Sequence, residues 1–197
     1  MAKACLLLLL VSVLYIVGTA KSTATASPKT TNFVKSSCSA TTYPAVCVKS
    51  LSTYATAIQQ SPHQMALTAL SVSIDKAGAA KTFVTKLGKL KGLKSREYKA
   101  IKDCVDEMGD SVDRLSQSVQ ELQRLGGKSK RQDFLWHMSN VQTWVSAALT
   151  DENTCLDGFA GKALNGKIKA SIRQWVVNVA QVTSNALALC NRFAAKY

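Results

Sequence analysis

Side chains able to do chemistry are few in this sequence. The two histidines, His63 and His137, stand far apart, and neither has a second His or Cys three or four residues away, the spacing at which a helix presents ligands to one metal. No glycine-rich phosphate loop, nucleophile elbow or Cys-x-x-Cys pair occurs, and the serines are spread along polar stretches. These absences point away from an enzyme, a metal site and a cofactor. What remains is a row of acids. Asp106, Asp110 and Asp113 are spaced four and three residues apart, so a helix would carry them on one side. Their chemistry is electrostatic: like charges at that spacing repel by about 0.2–0.5 kcal/mol per close pair, which adds nothing to the helix. Such a row is either a face kept in water or a contact for a partner of opposite charge.

The elements that must hold this row are helical. Glycine and proline are sparse, and apolar residues recur by threes and fours. The clearest helix starts at Ser95, a plausible N-cap, and stops at Gly126-Gly127; within it Tyr98, Ile101, Val105, Met108, Val112, Leu115, Val119 and Leu122 form an unbroken seam. At 1.5 Å per residue it spans roughly 45 Å. The acids lie opposite its seam. A second long helix follows Asn165-Gly166 and carries Ile168, Ile172, Trp175, Val179, Val182, Ala186, Leu189 and Phe193. A third runs from near Asp133 to Gly158 or Gly161 with Met138, Val141, Val145 and Ala148. A fourth, capped by Ser61-Pro62, carries Leu67, Leu70, Ile74 and Ala77, with Gly78 and Gly88 expected to fray or bend it near Lys89 to Leu93. The predicted fold is all-α, an antiparallel up-down-up-down four-helix bundle. The tryptophans Trp136, Trp144 and Trp175 lie on or beside seams and read as core residues rather than as a ligand cage.

The first 26 residues are expected to be a signal peptide. Lys3 precedes an apolar run from Leu6 to Val17, too short to span a membrane comfortably, and small residues offer cleavage after Ala20 or Ala26. The mature chain, 27–197, would then be one secreted, extracellular domain with no transmembrane segment, lipid anchor or retention signal. Cys5 departs with the leader and five cysteines remain. The midpoint of Cys104 and Cys155 falls at Ser129 or Lys130, in the turn that begins at Gly126, so folding the two helices antiparallel brings these cysteines level. Cys38 and Cys47 flank Tyr43-Pro44 and would close a small N-terminal hairpin. Cys190 is left unpaired beside an apolar seam and reads as a buried, inert thiol.

Charge is strongly biased. The formal net charge is +13, or +11 once Lys3 and Lys21 leave with the leader. In a secreted chain that balance suits anionic polymers, acidic proteins or membrane surfaces rather than nucleic acid, and it also serves solubility. Lys86, Lys89, Lys91, Lys94, Arg96, Lys99 and Lys102 crowd one stretch directly before the acids.

Several stretches together resemble a known family. Phe33-Val34-Lys35, Tyr43-Pro44-Ala45-Val46-Cys47, Cys104 with its acidic helix, Val145-Ser146-Ala147-Ala148-Leu149-Thr150 leading to Thr154-Cys155, and Ser184-Asn185-Ala186-Leu187-Ala188-Leu189 are similar to the plant pectin methylesterase inhibitor and invertase inhibitor family, across nearly the whole mature chain. The resemblance implies a four-helix bundle with an N-terminal helical hairpin, bridges Cys38–Cys47 and Cys104–Cys155, and an unpaired fifth cysteine. The stretch from Val145 to Thr154 is similar to the methylesterase branch, and the Pro-Lys-Phe motif of the invertase branch is absent, Pro28-Lys29 being the nearest approach. The expected function is inhibition of pectin methylesterase in a complex of about one to one, with Asp106, Asp110, Asp113 and Thr154 at the interface. Two other readings compete: an inhibitor of cell-wall or vacuolar acid invertase, and a basic wall- or membrane-associated protein whose lysine-rich stretch binds anionic pectin or lipid. An inhibitor-like region of a larger enzyme is not expected, because the sequence ends at Tyr197.

Overall fold

The computed structural model describes residues 27–125, 130–161 and 166–196. The leader with its two cleavage positions, the Gly126-Gly127 turn and Asn165 lie outside them. An N-terminal hairpin comes first: α1 (Pro28–Cys38), α2 (Pro44–Leu51), a 3₁₀ turn at Ser52–Tyr54, and one short turn of helix, α3 (Ala55–Ile58). Gln59 and Gln60 then adopt left-handed backbone, φ 48° and 61°, which turns the chain at some conformational cost. Four long helices follow, α4 (Pro62–Leu87), α5 (Ser95–Arg124), α6 (Arg131–Asp157) and α7 (Lys167–Ala194).

Local chemistry explains the boundaries. Ser61 Oγ accepts from the backbone N–H of Gln64, and Pro62 occupies the first turn of α4, where its missing N–H costs nothing. Gly78 does not interrupt α4, which stops at Leu87 with Gly88 as its C-cap. Lys94, not Ser95, is the N-cap of α5, and its backbone N–H is satisfied by Glu97 Oε2 at 2.9 Å.

Each long helix packs on two others: α4 on α5 and α7, and α6 on α5 and α7. The cross-section is a square, with the α5/α6 seam on the side opposite the α4/α7 seam. Contacts between opposite ends prove the antiparallel order. His63, at the start of α4, bonds the carbonyl of Leu122 near the end of α5 at 2.8 Å and meets the ring of Phe193 at the end of α7. Gln142, early in α6, donates to Asn191, late in α7.

The core departs from the sequence seams in one systematic way. On α5 the buried stripe is Ile101, Cys104, Met108, Ser111, Leu115, Ser118 and Leu122, while Val105, Val112 and Val119 are only partly buried and Tyr98 is 55% exposed. On α7 the expected seam residues Ile172, Val179, Val182, Ala186, Leu189 and Phe193 are buried, and Val176, Thr183, Asn185 and Cys190 join them. Each buried stripe takes in small polar residues that a hydrophobic count passes over. The expected core role of the tryptophans is corrected accordingly: Val176 takes the inner position, Trp175 is 42% exposed, Trp136 is 67% exposed, and Trp144 is partly buried.

Both cross-links form as expected. Cys38 and Cys47 have Cα atoms 5.5 Å apart, and Cys104 and Cys155 4.3 Å apart. The hairpin is pinned to the bundle by Asn185, whose amide accepts from the backbone N–H of Tyr43 and donates to its carbonyl, both at 2.9 Å, and by Arg192, which donates to the carbonyl of Ser37. Cys190 is free and fully buried, and burial pushes its thiol up to about 12.

Two outcomes follow from the cysteines. Cross-links spanning 51 and 9 positions restrict the unfolded chain unequally, so C104S/C155S should lose about 4 kcal/mol in urea unfolding and C38S/C47S roughly 2.5 kcal/mol. A thiol reagent should leave the native protein unlabelled and modify one site per chain once urea unfolds it.

Candidate functional site

The aspartate row sits where its spacing placed it. Asp106, Asp110 and Asp113 are all exposed on α5, and none of them forms an ion pair among the described residues. Thr154 is exposed on α6, with its hydroxyl turned back to the carbonyl of Thr150 at 2.9 Å. The Cys104–Cys155 bond joins the two helices that carry these groups: Thr154 immediately precedes one of its cysteines and Asp106 follows the other by two residues. Asp110 and Asp113 continue the row along the next two turns.

Two further acids stand beside the row, Glu107 of the same acidic stretch and Asp151 of α6, which the sequence reading missed. Arg114 Nε donates to Asp151 Oδ2 at 2.7 Å across the α5/α6 seam. Partial burial raises the Asp151 carboxyl above its ordinary range; Arg114 pulls the other way and Asp110 adds to the rise. Glu107 is likewise raised, by burial first and then by Asp151 and Asp110, against the pull of Arg114. The face is thus a connected field of carboxylates with one arginine at its inner edge. At the other edge Lys81 of α4 lies over Gly109, where a Cβ would come within 2.7 Å of its amine; glycine there lets the lysine lie against α5.

Directly beneath is a buried carboxylate. Glu152 is fully enclosed, and its Oε1 accepts from Ser111 of α5 and Thr183 of α7, both at 2.8 Å, so one side chain of α6 ties three helices together. Its Oε2 is buried with no partner among the described residues. Burial pushes the carboxyl up to about 7; the two hydroxyls oppose that shift and neighbouring Asp151 reinforces it. A signal existed in the sequence: Glu152 occupies the helical register of Val145, Ala148 and Cys155, a core position.

At the far end of the same seam Glu121 bonds both His137 and Arg124. Burial alone would raise the Glu121 carboxyl, and those two partners outweigh it and hold it below the usual range. Among the described residues, no three His, Cys, Asp or Glu side chains group to hold a metal, and no helix is long and apolar enough to cross a membrane. The arrangement presents charge and hydroxyls on a rigid surface. It lays out no nucleophile beside a base.

Residues 32–189 match the family model described as plant invertase/pectin methylesterase inhibitor. The chain belongs to that family. Over 192 residues it is 49% identical to "Pectinesterase inhibitor 11" of Arabidopsis thaliana, covering 98% of this chain and 95% of that protein. Over 165 residues it is 59% identical to the "21 kDa protein" of Daucus carota, covering 84% and 85%. A crystal structure of a mutant form of an Arabidopsis pectin methylesterase inhibitor superposes with a TM-score of 0.63 at 21% identity, over 78% of this chain and 92% of that one. That likeness concerns the fold, and it agrees with the bundle described above.

Glu152 makes stability depend on pH. A folded-state value near 7 against an ordinary 4.5 means the folded chain holds a proton that the unfolded chain has released. The stabilisation is complete below the ordinary value and is lost as pH rises through 7, by roughly 3 kcal/mol at most. Glu121 acts in the opposite sense, and only in more acidic solution. The melting temperature should therefore fall from pH 5 to pH 8, and E152Q should flatten that slope; an unchanged slope in E152Q would place the proton elsewhere.

Proposed function

We propose that the chain is a protein inhibitor of pectin methylesterase, acting outside the cell. It docks through the α5/α6 face, with Asp106, Asp110, Asp113 and Thr154 in contact with the enzyme in a complex of about one to one. The observation that carries the reading is an exposed aspartate row, without an ion-pair partner among the described residues, on the helix that the Cys104–Cys155 bridge ties to α6, in a family where several relatives bear the name pectinesterase inhibitor. The row is held against its own repulsion, so an opposing basic surface is the partner that relieves it.

Inhibition on this reading is steric. The bundle lays its rigid side across the groove through which the pectin chain reaches the enzyme's reacting groups, and substrate is shut out. A helical face that arrives already shaped loses little on docking, because few side chains and no loops must be ordered at the interface. Arg114 and Asp151 hold the α5/α6 seam from within, which keeps the acids in register. The invertase reading has less in its favour, since the Arabidopsis relative named above, 49% identical, bears the name pectinesterase inhibitor.

Replacing exposed charges mainly removes long-range attraction. D110A/D113A should weaken inhibition of a pectin methylesterase about threefold to tenfold at low salt, with the difference shrinking above 0.5 M or so as charges are screened. Residual activity titrated against inhibitor at several salt concentrations measures this. Equal inhibition by the double variant at every salt concentration would remove the aspartates from the interface, and equal inhibition of an acid invertase would move the protein to the other branch.

A further inference from the structure

The side of the square opposite the aspartates carries a different kind of surface. Between α2, α4 and α7 runs a groove of about 780 Å³, and a second hollow of about 370 Å³ continues it, the two sharing Lys49, Lys76 and Asn178. Three cations converge on the larger hollow from three helices, Lys49 of α2, Lys76 of α4 and Arg173 of α7. All three are exposed, and none has an ion-pair partner among the described residues. Asp75 stands in the smaller hollow, so the groove as a whole remains basic.

Trp175 supplies the second half of the site. Its indole stacks on Phe83 with centroids 4.8 Å apart and planes 14° apart, so one face of the ring is fixed by packing while 42% of the residue stays exposed at the groove. A flat apolar plate held rigid at the edge of a basic hollow suits the apolar face of a sugar ring, and the amides of Asn178 and Gln181 beside it suit hydroxyls. Tyr54, 41% exposed, adds an aromatic to the second hollow. The α7 residues that line the groove run from Ala170 to Gln181, about 16 Å of helix, a length suited to several linked sugars.

We infer that this groove binds an acidic oligosaccharide, with Trp175 as stacking platform and Lys49, Lys76 and Arg173 as partners for ring carboxylates. An acidic peptide would meet the cations but would leave the indole plate without a planar partner. The site is separate from the aspartate face, on the other side of the bundle, so a ligand here leaves that face free. It also differs from the lysine-rich stretch between Lys86 and Lys102, where cations crowd without an aromatic hollow.

The test is titration of the full chain with short oligogalacturonate, read by tryptophan fluorescence and calorimetry. Binding should weaken about tenfold or more in K76A/R173A and in W175A, while K89A/K91A, which removes equal charge elsewhere, should change it less than about twofold. W175F should retain part of the affinity and lose the fluorescence response. All four variants alter exposed side chains, and circular dichroism verifies their fold. The inference is overturned if K89A/K91A costs as much as K76A/R173A, if a neutral oligoglucan binds as well, or if a glutamate peptide or a sulfated dextran of like charge binds as tightly. Inhibition of methylesterase should persist in W175A, so failure of this site and failure of the docking face remain distinguishable.

Discussion

Cys104 and Cys155 lie 51 positions apart in the chain and 4.3 Å apart at their Cα atoms, and everything on the acidic side of the bundle depends on that closure. A helix pair held by side-chain packing alone can slide by one heptad, about two turns, since a seam repeating every seven residues offers the same ridges one repeat along. A covalent link forbids the slip. It sets Arg114 opposite Asp151 and Ser111 opposite Glu152, two contacts that each need the correct register. The bridge is therefore both a restraint on the unfolded chain and a specification of which surface the folded chain shows.

Polar groups in the core reinforce the same choice. A buried carboxylate weakens a fold unless it is neutral or well bonded, and Glu152 meets the first condition in mildly acidic solution, where it keeps its proton, while its Oε1 alone accepts from two hydroxyls on two other helices. Leucine there would pack in several registers, whereas a carboxyl that needs Ser111 and Thr183 fits one. The cost falls on stability at higher pH.

Much of this was legible in the sequence, and the part that was not has a single cause. Four helices, their order, both disulfides and the exposed aspartates follow from period, punctuation and spacing. The burial of Ser111, Ser118 and Thr183 in place of Val105, Val112 and Trp175 does not, because a hydrophobic count admits the three apolar residues and passes over the three hydroxyls. Val105, Val112 and Trp175 then lie at or beyond the edge of the core. The same bias hid Asp151 and Glu152, two adjacent acids in a segment scored for its apolar spacing. The outward turn of Trp175 is the most consequential of these errors, because the indole thereby joins a basic hollow instead of the core.

The square section gives these surfaces their independence. Because α5 and α6 share one side and α4 and α7 the opposite one, an acidic face and a basic groove coexist without cancelling, although the chain as a whole is strongly cationic. Across the width of two helices, roughly 20 Å, their fields are screened from each other at physiological salt. A bundle so divided can dock an enzyme on one side while the other holds an anionic polymer of the kind that enzyme acts on, which would concentrate the inhibitor where the enzyme is at work. The lysines between Lys86 and Lys102 sit at the end of the bundle and raise its attraction to any polyanion, but the groove joins charge to shape, and shape is what separates a sugar chain from other anions.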